Sequence, residues 1–284
     1  MKLKFNSSLR NVWNKIKPCK WAFLSTLIIA QTTFAQWDGS SADIGWYTER
    51  EYELTISTPQ QLAGLAKLVA MGKTFEERTI ILEQDVYLEN HEWTPIGTRD
   101  NPFCGTFDGR NYVIRGVYIY NSEEYQGLFG YVDNNGTIRN LGVEDSQIRS
   151  DYNYVGGLVA YLNNGEISDS HFSGTVNGGD DVGGLIGHFN NGTISNSYFT
   201  GTVEGRYNVG GLTGYISYGT INSSRVDDAE VTGQENVGGL VGHFNGGEMN
   251  GINDDSSYFN GKVEGQKFTG TLLGLLNRDN VNLQ

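Results

Sequence analysis

Cysteine is nearly absent: 284 residues hold two, so no disulfide framework can staple this fold. Cys19 precedes a mostly apolar run, which argues against lipid attachment. Cys104 sits among apolar and small neighbours in Pro102-Phe-Cys-Gly-Thr-Phe107, and no histidine partner is near, so a buried, inert thiol is expected. Positive charge is also scarce, with 20 Lys and Arg against 33 Asp and Glu. Nucleic acid and anionic lipid are therefore excluded as main partners. Long apolar runs are missing. The longest mostly apolar stretch, Trp21–Phe34, is interrupted by Ser25, Thr26, Gln31, Thr32 and Thr33 and is too short to span a bilayer comfortably.

That stretch has a different use. Six basic residues and no acidic one occupy the first 20 positions, the apolar run follows, and Thr33-Phe34-Ala35 precedes Gln36. This order is that of a secretory signal peptide over residues 1–35, with cleavage expected after Ala35. A retained membrane anchor is the competing reading; otherwise the membrane enters only through the export signal. The remaining chain carries 14 basic and all 33 acidic residues, a net of −19 that favours solubility.

Glycine, by contrast, is abundant at 39 residues, and it recurs with order. A leucine after a glycine pair or its variant falls at Leu128, Leu158, Leu185, Leu212, Leu240 and Leu272, a period of 27 to 32 residues. A unit so short cannot bury its own apolar face and must stack on its copies. Within each unit, small and apolar residues alternate with period two, as in Leu185-Gly187-Phe189 and Phe199-Gly201-Val203, which is strand patterning. Asn-Gly corners such as Asn134-Asn135-Gly136 and Asn190-Asn191-Gly192 separate the strands, because Asn and Gly tolerate positive φ. Asn135 and Asn191 also match a glycosylation pattern, which the corner explains more simply. Ile138, Ile167, Ile194, Ile221 and Met249 open the second segment of successive units. Three short strands and three corners in about 27 residues describe one coil of an all-β, single-domain, right-handed parallel β-helix, or β-solenoid. A β-propeller is the alternative, but its blades need about 40 residues or more.

Residues 36–124 are expected to form an N-terminal leader, a capping helix and the first irregular coils. Ser57-Thr58-Pro59 starts that helix, Leu62, Leu65, Ala66 and Val69 share one face, and Gly72 ends it. Thr79–Leu88, Trp93–Gly97, Phe103–Gly109 and Tyr112–Tyr120 read as strands. Residues 125–276 hold the regular coils, and 277–284 a short tail that covers the far end only partly. An open far end leaves end-to-end self-association as a further expectation.

These residues resemble the bacterial GLUG-motif repeat proteins, named for a Gly-Leu-(hydrophobic)-Gly core. That core stands at Gly127–Gly130, Gly184–Gly187, Gly211–Gly214 and Gly239–Gly242, with variants at Gly157–Ala160 and Thr271–Gly274. Ile56-Ser-Thr-Pro-Gln-Gln-Leu62, Asp85-Val-Tyr-Leu88, Trp93-Thr-Pro-Ile-Gly97 and Gly105-Thr-Phe-Asp-Gly109 are similar to the family's usual lead-in. The resemblance implies a secreted or cell-surface bacterial protein, often adhesin-like, and repeats sometimes found beside a zinc peptidase domain of the immunoglobulin A protease type. The peptidase itself does not carry over, because His91-Glu92-Trp-Thr-Pro95 lacks the second histidine of His-Glu-x-x-His.

Outward positions define the candidate site. The third residue after each core leucine reads Tyr131, Tyr161, His188, Tyr215 and His243, and a second outward row reads His171, Tyr198, Arg225 and Tyr258. Flat rings at coil intervals suit a ligand face for a sugar or a protein. The plainer reading is that they pack on their neighbours in adjacent coils. No metal or other cofactor is expected: His188 and His243 would lie two coils apart, too far to share an ion. The acidic pairs Asp180-Asp181, Asp227-Asp228 and Asp254-Asp255 read as solvated corners rather than calcium sites, since no spaced Asp-x-Asp-x-Asp loop exists. Arg225 with Asp227 interrupts its row and is the one weak catalytic candidate; a salt bridge explains it equally well. The leading functional expectation is a non-enzymatic binding protein for an extracellular glycan or protein. The alternatives are a carbohydrate-active lyase or hydrolase and a structural spacer or assembly subunit.

Overall fold

The computed structural model describes residues 36–252, 256–277 and 281–284. The proposed signal segment and the Asp254-Asp255 pair lie outside the described residues. The glycine-punctuated repeats wind into a parallel β-solenoid of about eight turns. The regular coils contribute one strand to each of three all-parallel sheets of twelve, eight and five strands among the described residues. One coil shows the plan: Asp180–Gly183 joins the five-stranded sheet, Ile186–Ser195 the twelve-stranded one and Tyr198–Glu204 the eight-stranded one. The next coil repeats it with Tyr207–Gly210, Thr213–Asn222 and Arg225–Thr232, in register except for a bulge at Asp227-Asp228 opposite Thr200.

Because equivalent residues pair, each core position becomes a column. Leu158, Leu185, Leu212 and Leu240 are fully buried, as are Ile138, Ile167, Ile194, Ile221 and Met249. Phe172 stacks on Phe199 with ring centroids 6.2 Å apart. Each such side chain contributes about 1.5–3 kcal/mol by leaving water, and no single repeat could do this alone. Leu272, in the last coil, is only partly buried against the core.

The capping helix runs Pro59–Ala70. The Thr58 hydroxyl accepts from the Gln61 amide at 3.2 Å, and the Gln61 side chain accepts from the Ser57 amide at 2.9 Å, a reciprocal cap that fixes the start. Leu62, Leu65, Leu68 and Val69 face inward and join the same apolar cluster as the solenoid. The helix follows Glu53–Ile56, the outermost strand of the twelve-stranded sheet, so it lies at the sheet's first rung. Gly72, at φ 89°, ends it by donating to Val69.

The first coils are more broken than their sequence suggests. Thr79–Leu88 splits into Thr79–Leu82 and Val86–Tyr87, and Tyr112–Tyr120 into Val113–Arg115 and Tyr118–Asn121. Phe103–Gly109 narrows to Thr106–Asp108 with an isolated bridge at Phe103. Trp93–Gly97 forms no strand, only an isolated bridge at Ile96 and another at Glu92 just before it. Pro95 has no N–H to give a ladder, and Gly97 turns away at φ 87°. At the other end Val281–Leu283 is a strand, pairing with Gly247–Met249.

Candidate functional site

Alternation along the twelve-stranded sheet sends every second side chain outward, and parallel register lines those side chains up. Tyr131, Tyr161 and His188 stack almost face to face, with centroids 4.7 and 4.5 Å apart and planes within 5° and 6°. Tyr215 follows His188 at 4.8 Å, and His243 meets Tyr215 edge-on at 4.8 Å. The five residues therefore form one continuous ring column. Tyr215 stands between the two histidines, and among the described residues no group of His, Cys, Asp and Glu is placed to hold a metal ion.

A second column leans on the first. Tyr125, Tyr154, Asp181, Asn208, Asn236 and Phe268 occupy equivalent corners, all with φ between 52° and 63°. Tyr154 stacks on Tyr125 at 4.9 Å and meets both Tyr161 and His188 edge-on at 5.6 Å. Asp181 takes the next place, within 2.8 Å of His188 Nδ1, and its other oxygen accepts from Asn208 Nδ2 at 2.7 Å. Asn208 in turn accepts from Asn236. Asp181 is thus no solvated corner. Only 9% of it is exposed, because the ring column covers it from one side and the next coil from another.

Burial sets the acid–base character of this face. It pushes the Tyr161 phenol up to about 12, with neighbouring tyrosines and Asp181 adding to the effect. Burial likewise raises Tyr131, Tyr154 and Tyr215. The phenols stay neutral at ordinary pH and offer O–H groups at their rims. Burial also lowers His243 below the usual histidine value. Since the ring faces are spent on one another, the column presents edges, hydroxyls and imidazole nitrogens rather than open aromatic platforms.

The second outward row lies on the eight-stranded sheet and is spent in a similar way. His171 stacks on Tyr198 at 4.7 Å and its Nε2 lies 3.1 Å from Glu144, which also pairs with Arg115. The Arg225 guanidinium covers the other face of the Tyr198 position at 4.5 Å, while its Nε donates to Asp227 at 2.8 Å. Interaction with the same Asp227 carboxylate raises the Tyr258 phenol. Arg225 and Asp227 therefore form an ion pair within one strand, and Asp228 beside them is a bulge residue at φ 46°. Cys104 is buried, and burial holds its thiol above the usual value, as an inert cysteine requires.

Tyr125, Tyr154 and Asp181 belong to the first face although their roles are not evident from any single repeat. Their signal is positional: each corner residue stands two places before a glycine, as in Tyr154-Val-Gly, Asp181-Val-Gly and Asn208-Val-Gly. A buried serine column is equally quiet in sequence. Ser170, Ser197, Ser224 and Ser257 each accept from a backbone amide of the preceding coil at 3.2 Å.

Comparison with known proteins agrees with this architecture. The family described as "the GLUG motif" matches residues 151–177 and 178–204, two successive coils. A glycine-rich protein of Evansella cellulosilytica, described as a candidate membrane protein, is 33% identical over 130 residues, 43% of this chain and 14% of that protein. Halomucin of Haloquadratum walsbyi is 30% identical over 141 residues, 45% of this chain and 2% of its own length. The chain thus spans a small part of these relatives. A crystal structure from Bacteroides ovatus, described as a candidate immunoglobulin A1 protease, superposes with a TM-score of 0.66 at 20% identity. That superposition covers 79% of this chain and 71% of the other, and it is a likeness of fold. The chain carries GLUG-motif repeats, built as coils of a parallel β-solenoid.

Proposed function

We propose that this is a cell-surface repeat protein that binds a glycan or protein partner through its lateral face. The observation that carries the reading is the ring column from Tyr131 to His243, five residues in register on one rigid sheet. A stacked column presents fixed hydrogen-bonding rims at each coil, so a partner loses affinity to no reordering of the protein. The relatives described as a membrane protein and as halomucin support display outside the cell. The signal segment over residues 1–35, with cleavage after Ala35, would deliver the chain there. Catalysis by Arg225 and Asp227 gains no support, because each already serves the other.

The test starts from the full chain produced in a bacterial host. Protease treatment of intact cells should remove the protein, and its amino terminus should begin at Gln36. The recovered protein should then retain glycans or proteins on an array while releasing no new reducing ends from polysaccharides. Protection from protease on intact cells would overturn the surface assignment, and released sugar fragments would overturn the non-enzymatic one.

A further inference from the structure

A polar trough runs beside the ring column, along the corner of the twelve-stranded sheet where the strands bend. It has a volume of about 510 Å³ and crosses three coils. Its walls are the amides of Asn135, Asn164 and Asn191 on one side and Thr137, Glu166 and Thr193 on the other. Gly165 and Gly192 leave it open between the walls. Gly192 is irreplaceable there, since at φ 128° an added Cβ would lie 1.9 Å from the Gly165 carbonyl oxygen.

The trough is built of polar groups that the protein itself leaves unused. Asn191 Nδ2 donates to Asn164 Oδ1 at 3.0 Å, which fixes the orientation of both amides. Among the described residues, no protein group accepts from Asn164 Nδ2 or donates to Asn191 Oδ1, and the exposed Glu166 carboxylate has no partner. A free amide donor on Asn164 and a free amide acceptor on Asn191 therefore stand one coil step, about 4.8 Å, apart. One rung beyond Asn191, in register with it, stands Tyr218. Its ring is 57% exposed, unlike the rings of the adjacent column, and it leans over Gly246, where an added Cβ would lie 2.7 Å from the ring.

We propose that this trough binds an extended, uncharged glycan, its hydroxyls bonding the Asn, Thr and Glu166 rungs and one sugar ring packing on Tyr218. A polyhydroxyl chain offers a donor and an acceptor at every unit, and its rise per sugar is close to the coil step. An open phenol ring next to convergent polar groups matches the amphipathic faces of a pyranose. Glu166 is the one charged residue lining the trough, and the chain is net negative, so acidic polysaccharides are disfavoured. The proposal rests on the surface-binding reading above and assigns it a ligand class and a second site.

The experiment titrates the full chain with neutral hexasaccharides of β-1,4-glucan, β-1,3-glucan, β-1,4-xylan and β-1,4-mannan, and with an oligogalacturonate. At least one neutral probe should bind. Tyr218→Ala and Asn164→Gly should each weaken it by tenfold or more, with melting temperatures little changed, because both side chains are exposed and glycine accepts the φ of 52° at position 164. Tyr207→Ala, an exposed tyrosine on another sheet, should leave binding intact. Preference for oligogalacturonate, binding only to proteins, or no neutral binding overturns the proposal. So does neutral binding that both trough variants retain. In that last case, loss of binding on His188→Gln would leave the lateral-face function standing while the trough falls.

Discussion

The Nδ1 of His188 lies 2.8 Å from the Oδ2 of Asp181, joining the outward ring column to the corner column beside it. A carboxylate oxygen only accepts, so the ring donates from Nδ1. Asn208 occupies the second oxygen at 2.7 Å. Removing the carboxylate strands both donors in a mostly buried place. Asp181→Ala is expected to destabilise the protein by about 2–3 kcal/mol, since alanine is also strained at the φ of 55°, and Asp181→Asn by less, because it keeps an acceptor for one of them and tolerates that φ. Chemical denaturation reads both, and an unchanged midpoint for Asp181→Ala would show that the pair carries no weight.

The same face should respond to alkali. Burial raises the Tyr161 phenol from its ordinary 10.0 to about 12, and raises Tyr131, Tyr154 and Tyr215 in the same direction. A folded-state value above the unfolded one means the folded protein holds the proton more tightly. That stabilisation is complete below the ordinary phenol value and is lost as pH rises toward about 12. His243 works in the opposite sense. Its folded value lies below the usual 6.5, so its contribution is present above that pH and lost as pH falls. Melting temperature should therefore decline on both sides of a neutral plateau. Phenolate absorbance should rise together with loss of the folded circular-dichroism signal, and separate, early ionisation of these tyrosines would contradict their burial.

Much of this architecture is legible because it is periodic. The core leucines, the Ile138-to-Met249 column and both outward rows follow from counting along the repeats, and Thr58-Pro59 marks the helix start. What stays hidden depends on contacts one coil away. Asp180-Asp181 looks like any charged turn, yet Asp181 is buried by His188 of its own coil and Asn208 of the next. The trough is hidden for a similar reason: Asn164 and Asn191 read as corner residues, and only stacking shows which of their polar atoms are left over. The irregular first coils are hard to read because Pro95 and Gly97 interrupt pairing where the apolar pattern continues.

Close stacking makes some glycines irreplaceable. At Gly201, φ is 126° and an added Cβ would lie 2.0 Å from the Gly174 carbonyl oxygen of the preceding coil. Gly201→Ala combines an unfavourable backbone with a clash against backbone that cannot yield, so a loss of about 2–4 kcal/mol is expected. Gly45→Ala is the matched control, for its Cβ would meet only the Asp43 carboxylate at 3.1 Å on the exposed leader. That change should stay within about 0.5 kcal/mol. Equal effects at the two sites, measured by denaturation, would mean the coils separate easily enough to admit a methyl group.

The buried serines give the sharpest test of coil-to-coil bonding. Ser197 is fully buried; its Oγ accepts from the Ser170 amide at 3.2 Å and donates to the Ser195 carbonyl at 2.8 Å. It thereby satisfies a backbone amide at a corner where the regular ladder is interrupted. Ser197→Ala removes the acceptor without adding bulk and leaves the Ser170 N–H buried and unpaired, at a cost of about 1–2 kcal/mol. The consequence should be local as well as global. Amide exchange at Ser170 should quicken more than exchange at Val182 or Val209, whose strands on the five-stranded sheet do not use the serine. Uniform quickening across all three would assign the loss to general packing instead of to this bond.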